Sequence, residues 1–591
     1  MNTRGVSMKN RTIYAAFVAL IVIIVGIAIW QQRAPTTQNA SSTNEVGEQT
    51  VGDYTQTMSE EAANQLADEL GAFEITATQR ELAKNNKAGY APLDAGRGNP
   101  NWINSKARYA YTRLMDFANA ECQLNMSEGD MAGHGEAEGI AERFNASMDP
   151  NDDVDKFLLD AVAYCEKELG LNREELLMEL TNGIIGDYYP SPSRCLTCTE
   201  AILNDYLQST LYDGVDLKDQ TEVFPTEGGS AAMSYIFHSL SHNKVLKPGD
   251  TIAIATPIFT PYLQIPEVNN YGLVSVNVSA SQDTDWDIPE EELAKLEDTN
   301  VKALFLVNPS NPASHALSDA TLDRLEKVVD KNPNLIILTD DVYGTFVDDF
   351  QTVYSRLPHN TILVYSYSKL YGATGWRVGL IAMHKNNVVD RLISELPEDE
   401  AAALNDEYDI VTTDPASLKF IDRMTADSRS IGLYHTSGLA TPAQVFMDVL
   451  SLTHLVNKND DPYIAQSKQL VNARYEAFMK ALGITPDDTR ENAQYYTLVD
   501  INALIEQRYN KDFANWKKET VSDIDFLNDL AQEKGVVLMY GPGFDAPEGC
   551  VRVSLANLNE KDYVEIARRI LELLDEYHEV YQEKTALDQA A

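Results

Sequence analysis

Short apolar runs alternate with helical stretches between about residue 225 and residue 383. Each run is apolar at consecutive positions, which is typical of strands buried on both faces of a parallel sheet. The candidate strands are 251–255, 303–307, 335–338, 361–365 and 378–383. The pattern therefore predicts an α/β fold with a mostly parallel central sheet, and residues 206–434 are expected to form this large domain.

The pattern changes after residue 435, where a long helix is followed by separate apolar runs. The candidate strands there are 495–499, 535–539 and 550–554. A terminal helix is expected from Lys561 to about Tyr581. These elements predict a smaller α+β domain over residues 435–591, and the segment 59–205 is predicted to pack with it.

Two acidic, largely helical stretches lie near residues 120–160 and 385–430. Neither continues the alternation of strands and helices around it. We interpret both as insertions with a structural or assembly role, the first in the N-terminal segment and the second in the large domain.

Residues 12–30 are nineteen apolar or nearly apolar positions without a charge. As a helix with a rise of about 1.5 Å per residue, they would reach roughly the 30 Å of a bilayer core. Arg4, Lys9 and Arg11 precede the run, and the positive-inside bias then keeps the N-terminus in the cytoplasm. We predict an uncleaved transmembrane anchor, a polar linker over residues 31–58, and a folded part outside the cytoplasm.

Two alternatives to this topology stay open. The apolar run could be the core of a cleaved signal peptide, with small residues near Ala34 and Ala40 as cleavage points. The anchor could also be inverted, which would place the folded part in the cytoplasm.

The chain of 591 residues carries 90 acidic and 47 basic residues, a formal net charge of −43. This excess of negative charge argues against nucleic acid and against an anionic membrane surface as partners. Five cysteines are too few for a disulfide framework at this length. Cys195 and Cys198 lack a second pair that would complete a zinc site, so we predict no metal and interpret both as ordinary thiols, or as a pair that oxidises if exported.

The most specific chemistry follows the candidate strand 361–365. Lys369 is shielded from water by that apolar strand, and burial can lower the pKa of a lysine until the neutral amine forms a Schiff base with an aldehyde. Ser366, Ser368 and Arg377 supply hydroxyls and a fixed cationic fork that suit a phosphate. A solvated surface lysine is the alternative if this segment is considered alone.

Other strand ends carry groups that fit the same kind of ligand. Gly228, Gly229 and Ser230 open a predicted helix, and a glycine-rich helix start offers backbone N–H groups to a phosphate. The next strand end carries an aromatic ring at Phe259, and the one after it carries an amide at Asn311. The third carries a carboxylate at Asp340 and a phenol at Tyr343. In an open α/β sheet such strand ends meet at one edge, where ligands bind. Each feature alone is equally compatible with an ordinary turn or helix cap.

In order and spacing these residues resemble the pyridoxal 5′-phosphate (PLP) enzymes of fold type I. The S-x-S-K and G-x-R-x-G patterns around Lys369 and Arg377 resemble those of the class I and II aminotransferases. The resemblance implies PLP as cofactor, bound covalently by Lys369. It also implies a phosphate site at Gly228, Gly229, Ser230, Ser366, Ser368 and Arg377, a ring site at Phe259, Asn311, Asp340 and Tyr343, and a substrate site at Gly98 and Arg552. Asp340 would meet the ring nitrogen, and Arg552 would bind the α-carboxylate of an amino acid.

Within this family the chain looks like the aspartate 4-decarboxylases over roughly residues 59–583. Segments 95–102, 227–232 and 257–262 carry this closer resemblance. It implies that L-aspartate loses its β-carboxylate to give L-alanine and CO2, with transamination as a side activity. Ala313-Ser314 departs from the Thr-Gly usual in aminotransferases, and the membrane segment is not a general family feature. The alternatives are an aspartate or broad-specificity aminotransferase, and a membrane-tethered sensor that binds PLP or an amino acid.

Arg97 and Tyr189 are assigned by position alone. Arg97, beside Gly98, is predicted to make a loose cationic contact with the side-chain carboxylate of the substrate, because a firm contact would disfavour loss of that group. A surface or inter-subunit salt bridge is the alternative for Arg97. Tyr189 lies near the position at which the family has a tyrosine that reaches into the neighbouring subunit and contacts the cofactor phosphate there. The resemblance therefore implies a homodimer or a higher homo-oligomer.

Overall fold

The computed structural model describes residues 72–131, 133–268, 274–436, 438–458 and 460–590. The predicted anchor (12–30) and linker (31–58) lie outside these described residues. Among the helices that are described, none combines the length and the apolar character needed to cross a bilayer. The described residues all belong to one compact unit.

The described strands fall into one large sheet and two small ones. They are β1 (Leu93–Asp94), β2 (Thr221–Thr226), β3 (Thr251–Thr256), β4 (Val274–Ser279), β5 (Val301–Val307), β6 (Ile336–Asp340), β7 (Thr361–Ser366), β8 (Gly379–His384), β9 (Tyr496–Asp500), β10 (Val536–Val537), β11 (Met539–Tyr540) and β12 (Cys550–Ser554). The large sheet has the order β2-β8-β7-β6-β5-β3-β4, and only β8 runs against its other strands. The predicted mostly parallel central sheet is confirmed.

The central strands of this sheet are the ones that the apolar runs predicted. β6 and β7 are buried at every position, and β5 at all but one. The sequence pattern missed β2 and β4, which form the two edges of the sheet. Edge strands tolerate polar side chains and proline: β2 contains Glu222 and Pro225, and β4 alternates valine with serine or asparagine.

The helices surround the large sheet and pack on the smaller ones. They are α1 (Ala72–Lys84), α2 (Ser105–Gln123), α3 (Ile140–Ser147), α4 (Asp153–Glu168), α5 (Arg173–Ile185), α6 (Thr197–Leu211), α7 (Gly229–His242), α8 (Thr260–Val268), α9 (Glu290–Leu293), α10 (Asp319–Lys331), α11 (Val353–Arg356), α12 (Val388–Ser394), α13 (Glu398–Tyr408), α14 (Phe420–Ser428), α15 (Thr441–Leu455), α16 (Pro462–Leu482), α17 (Ile501–Arg508), α18 (Lys511–Thr520), α19 (Asp523–Lys534) and α20 (Glu560–Ala590). The terminal helix α20 is longer than its predicted extent.

Two small sheets bring distant segments to the carboxyl ends of the large sheet. β9, β12 and β11 form an antiparallel sheet in which Arg552 pairs with Leu498 on one side and Met539 on the other. β1 pairs in parallel with β10, with Leu93 opposite Val536. This pairing fixes the start of the loop that contains Gly98.

The N-terminal helices pack against two different parts of the chain. α1 contacts α19 and β11, whereas α2, α5 and α6 contact α15. Helices α12 to α14 follow the large sheet in the chain, and α14 packs on α7. The predicted domain bounds 59–205, 206–434 and 435–591 stay predictions.

Candidate active site

A cavity of about 340 Å³ lies at the carboxyl ends of β5, β6 and β7. Its volume falls within the range of roughly 300–1,000 Å³ that is typical of small-molecule sites. The predicted residues that line it are Arg97, Gly98, Gly229, Ser230, Phe259, Asn311, Asp340, Tyr343, Ser366, Ser368, Lys369, Arg377 and Arg552. Side chains from distant parts of the sequence therefore meet at the predicted edge of the sheet.

Gly228 and Tyr189 are the two predicted residues that do not line this cavity. Gly228 lies directly behind it with a φ of +86°, and a Cβ at this position would lie 2.5 Å from a terminal nitrogen of Arg377. Only glycine adopts this φ without strain and also leaves room for the Arg377 side chain. Tyr189 is 67% exposed on this protomer, and its predicted contact across a subunit interface stays a prediction.

Lys369 projects from the turn that follows β7. Its Nζ donates a hydrogen bond to the carbonyl oxygen of Gly98 at 3.1 Å and lies 6.0 Å from the centre of the Tyr343 ring. The amine is therefore held between the large sheet and the loop after β1.

Asp340 ends β6 and is 6% exposed. The Tyr262 hydroxyl donates to its Oδ2 at 2.6 Å, and the backbone N–H of Val342 donates to its Oδ1 at 3.2 Å. Burial raises the pKa of Asp340 above its ordinary value, and the two hydrogen bonds act in the opposite direction by stabilising the carboxylate. Phe259, one turn before Tyr262, packs edge-on against that tyrosine with ring centres 5.3 Å apart.

The next residue, Asp341, does not line the cavity. Its carboxylate accepts a hydrogen bond from the Thr339 hydroxyl, and burial raises its pKa to about 8. Burial thus favours the protonated form of this carboxyl, whereas a group that serves a cationic ligand must be a carboxylate.

The start of α7 forms the other end of the cavity. Gly229 begins the helix, so its first N–H groups have no partner within the helix and suit an anion. Ser366 and Ser368 lie beside them with their hydroxyl oxygens 2.8 Å apart. Arg377 donates to the carbonyl oxygens of Thr374 at 3.0 Å and Glu227 at 3.3 Å.

The glycine turn, residues 227–229 at the start of α7, is held in place by a residue of the second helical insertion, 385–430. Arg429, which follows α14, donates to Glu227 Oε1 at 2.6 Å and to the Tyr235 hydroxyl at 3.1 Å. Tyr235 in turn donates to Glu227 Oε2 at 2.9 Å. Glu227 directly precedes Gly228, so this cluster fixes the turn that leads into α7.

Arg552 lies on β12 and is 2% exposed. One terminal nitrogen donates to Asn311 Oδ1 at 3.2 Å and the other to the carbonyl oxygen of Gly96 at 2.7 Å. Within the described residues its Nε has no hydrogen-bond partner. Burial lowers the pKa of Arg552, and a buried cation with an unused donor is suited to binding an anionic group.

Arg97 lines the cavity but is 58% exposed, and its Nε lies 3.2 Å from Asp94 Oδ2. Arg80 pairs with the same oxygen at 2.7 Å and also lines the cavity. In this protomer Arg97 thus makes a salt bridge near the substrate loop, while its predicted contact with substrate stays a prediction.

Tyr496, on β9, also lines the cavity and is 2% exposed. Its hydroxyl is 3.0 Å from that of Tyr343, and the Arg552 guanidinium lies 4.4 Å from the centre of its ring. Burial alone would raise the pKa of Tyr496, but the charges of Lys369 and Arg552, with hydrogen bonds from Tyr343 and Lys369, lower it below its ordinary value.

Residues 190–570 match the family described as aminotransferase class I and II. The chain belongs to the class I and II aminotransferase family. A Pseudomonas protein named bifunctional aspartate aminotransferase and L-aspartate beta-decarboxylase is 43% identical over 521 residues, which cover 87% of this chain and 97% of that protein. The family assignment and the fold therefore agree with the resemblance found in the sequence.

Solved structures of aminotransferases share the fold. The Thermus thermophilus aspartate aminotransferase with maleate aligns with a TM-score of 0.55 at 16% identity, over 85% of this chain and 95% of that one. The Rhizobium meliloti aspartate aminotransferase aligns with a TM-score of 0.54 at 16% identity, over the same shares of the two chains.

Enzymes of this family use PLP, and the residues of the cavity fit it. Lys369 offers an amine for the aldehyde, and Asp340 a buried carboxylate for the ring nitrogen. The start of α7, with Ser366, Ser368 and Arg377, offers donors for the phosphate.

Sequence reasoning missed Tyr262, Tyr496 and Arg80 as residues of the site. Tyr262 could have been found, because it follows Phe259 by three residues at the start of a helix, where such residues share a face. Tyr496 and Arg80 come from segments without a recognisable motif. Only the folded structure brings them to the cavity.

Proposed function

We propose that this chain removes the side-chain carboxylate of L-aspartate to give L-alanine and CO2, and that it transaminates aspartate as a side reaction. The observation that carries the proposal is the 43% identity to the Pseudomonas bifunctional enzyme over 97% of that protein. PLP, when bound, supplies an electron sink that withdraws the electron pairs of bonds broken at the substrate.

Lys369 is the base in this proposal. Its Nζ removes the proton from Cα of aspartate and returns protons later in the cycle. The hydrogen bond to Gly98 holds the amine beside the loop after β1, which is proposed to contact the substrate.

Arg552 binds the α-carboxylate, and its free Nε supports this role within the described residues. Asn311 accepts a hydrogen bond from the same guanidinium and so fixes its orientation. Asp340 stabilises a proton on the ring nitrogen, and the hydrogen bond from Tyr262 favours the carboxylate form of Asp340 against the effect of burial.

Arg97 is the proposed partner of the side-chain carboxylate. Its exposure and its sharing of Asp94 with Arg80 favour a weak contact. A weak contact suits a group that must leave as neutral CO2, because tight ground-state binding would raise the barrier. If Arg97→Ala left the ratio of alanine to oxaloacetate unchanged, this role would be ruled out.

The decisive experiment supplies aspartate and PLP without any 2-oxo acid. We expect continuous formation of alanine and CO2 in equal amounts. Oxaloacetate in amounts stoichiometric with enzyme, without CO2 or alanine, would instead indicate an aminotransferase without decarboxylase activity. Absence of any turnover would favour the sensor alternative.

We also propose that residues 12–30 anchor the chain in a membrane, as the uncharged apolar run suggests. The full chain should stay with membranes after alkaline carbonate extraction, whereas a chain that begins at residue 59 should be released. Release of both would contradict the anchor. A reporter fused to the C-terminus would show on which side the folded part lies.

A homodimer or higher homo-oligomer is proposed as well, with Tyr189 reaching the phosphate site of a neighbouring subunit. The exposure of Tyr189 on one protomer is compatible with such a contact. Light scattering should give at least twice the monomer mass, and a monomer that retains full activity would contradict the proposal.

A further inference from the structure

We propose that Tyr496 is the acid that delivers a proton to Cβ of the substrate after CO2 has left. This inference rests on the proposed decarboxylation and assigns a catalytic role to a residue that no sequence motif identified. It concerns a step that an enzyme with transaminase activity alone does not perform.

Decarboxylation requires a proton at an atom that transamination leaves untouched. In the step, the bond between Cβ and the carboxylate carbon breaks, CO2 leaves, and the electron pair of that bond stays with the substrate. The O–H bond of Tyr496 then breaks and a new C–H bond forms at Cβ, which becomes the methyl group of alanine. Solvent restores the proton through Tyr343 or Lys369, so one proton enters for each CO2 that leaves.

The position of Tyr496 suits this task. Its ring packs on the Arg552 guanidinium at 4.4 Å, so a substrate bound through its α-carboxylate lies beside the phenol. A Cβ at position 98 would lie 2.2 Å from the Tyr496 oxygen, so the absence of a side chain at Gly98 makes room for the hydroxyl. Tyr496 thus reaches the cavity from the side opposite the large sheet.

The groups around Tyr496 also make it a better acid. Lys369 and Arg552 are its cationic neighbours, and the hydroxyl of Tyr343 lies 3.0 Å from the hydroxyl of Tyr496. The two cations stabilise a phenolate and lower the pKa of Tyr496 despite its burial. A general acid works best when its pKa approaches the working pH.

Other donors near the cavity are less suitable. The guanidinium groups of Arg97 and Arg552 do not lose a proton in proteins. Tyr343 is expected at the ring oxygen of the cofactor, and Lys369 serves Cα. Tyr496 is therefore the group best placed to protonate Cβ.

Tyr496→Phe in the full-length holoenzyme tests the proposal. Alanine formation should fall about 10²-fold, while transamination between aspartate and a 2-oxo acid should change little. Tyr354→Phe is the control, because it removes a buried phenol that is bonded to the Thr221 hydroxyl and does not line the cavity. Its ratio of alanine to oxaloacetate should stay at the wild-type value.

An ultraviolet titration of the cofactor-free full chain gives a second readout. The wild type and Tyr354→Phe should show a tyrosine that ionises below the ordinary range, and Tyr496→Phe should lack it. Borohydride trapping of PLP on each variant confirms that the site is folded.

A wild-type enzyme that makes no alanine would contradict the proposed function itself. This failure is seen without any variant, so it is distinct from a failure of the role of Tyr496. A wild type that makes alanine, with Tyr496→Phe making it at the same rate and ratio, would overturn the role of Tyr496 alone. Equal losses of both reactions in Tyr496→Phe, with PLP still trapped, would also overturn it, since the defect would not be specific to Cβ.

Discussion

The cavity has two walls that differ in origin. The sheet wall consists of Asn311, Asp340 and Lys369, which lie at the carboxyl end of a strand of the large sheet or within four residues of one. The facing wall consists of Gly98, Tyr496 and Arg552, from the loop after β1 and the small antiparallel sheet.

The two walls also differ in chemistry. The sheet wall offers the groups that fit the cofactor, and the facing wall offers those that fit a substrate. The hydrogen bond between Lys369 and Gly98 joins positions 271 residues apart and links the two walls. Variants of the sheet wall should therefore impair cofactor binding, and variants of the facing wall should impair substrate handling.

The largest effect is expected for Lys369→Ala. Loss of the covalent attachment point and of the base should reduce alanine formation about 10⁴-fold. Product analysis with aspartate measures this loss. Lys331→Ala is the control, because Lys331 is a surface lysine paired with Glu297. Substantial alanine formation by Lys369→Ala would show that Lys369, and with it the sheet wall, does not supply the catalytic base.

Arg552→Gln tests the facing wall. Loss of a buried cation that binds the α-carboxylate should lower kcat/KM for aspartate about 10²-fold, or roughly 2.7 kcal/mol. Borohydride trapping of PLP should stay at the wild-type level, as it should in the control Arg508→Gln at the surface. If Arg552→Gln lost PLP instead, the division of labour between the walls would be wrong.

Arg429→Met probes the support behind the glycine turn. Glu227 would lose its cationic partner, so the turn should bind phosphate less well and the affinity for PLP should fall by roughly 5- to 10-fold. Fluorescence titration with PLP measures this change, and KM for aspartate should not move. Arg391→Met, in the same insertion with an exposed partner in Glu395, is the control. An unchanged PLP affinity would separate the insertion from the cofactor site.

Tyr262→Phe should give the smallest effect, a shift in pH dependence. The Tyr262 hydroxyl stabilises the Asp340 carboxylate and so lowers a pKa that burial raises. Its loss should raise the pKa of Asp340 further, and the acid limb of kcat/KM should move up by about half a unit to one unit. Tyr354→Phe, which removes a buried phenol bonded to Thr221, should leave the profile in place. A downward shift would contradict this account of Asp340.

The sheet wall could be predicted because each of its residues follows a continuous apolar run. Parallel strands bring their carboxyl ends to one edge, so the local sequence was enough to group Asn311, Asp340 and Lys369. The edge strands β2 and β4 escaped prediction because their sequences mix polar residues or proline with apolar ones instead of forming a continuous apolar run.

The facing wall could be predicted only where a resemblance marked a residue, as for Gly98 and Arg552. Tyr496 lies in an ordinary amphipathic strand, and its role depends on the neighbouring charges of Lys369 and Arg552. Arg80 reaches the cavity only because β1 pairs with β10 and α1 packs nearby. Such tertiary contacts leave no local signal in the sequence.

The central claim is that Lys369, where the two walls meet, is the residue that binds PLP covalently. Borohydride reduction of the PLP-loaded wild type, followed by digestion and peptide mass analysis, tests this claim directly. We expect one stable pyridoxyl adduct, on the peptide that contains Lys369, and none there in Lys369→Ala. A protein that takes up no PLP, or an adduct confined to another lysine, would contradict the account.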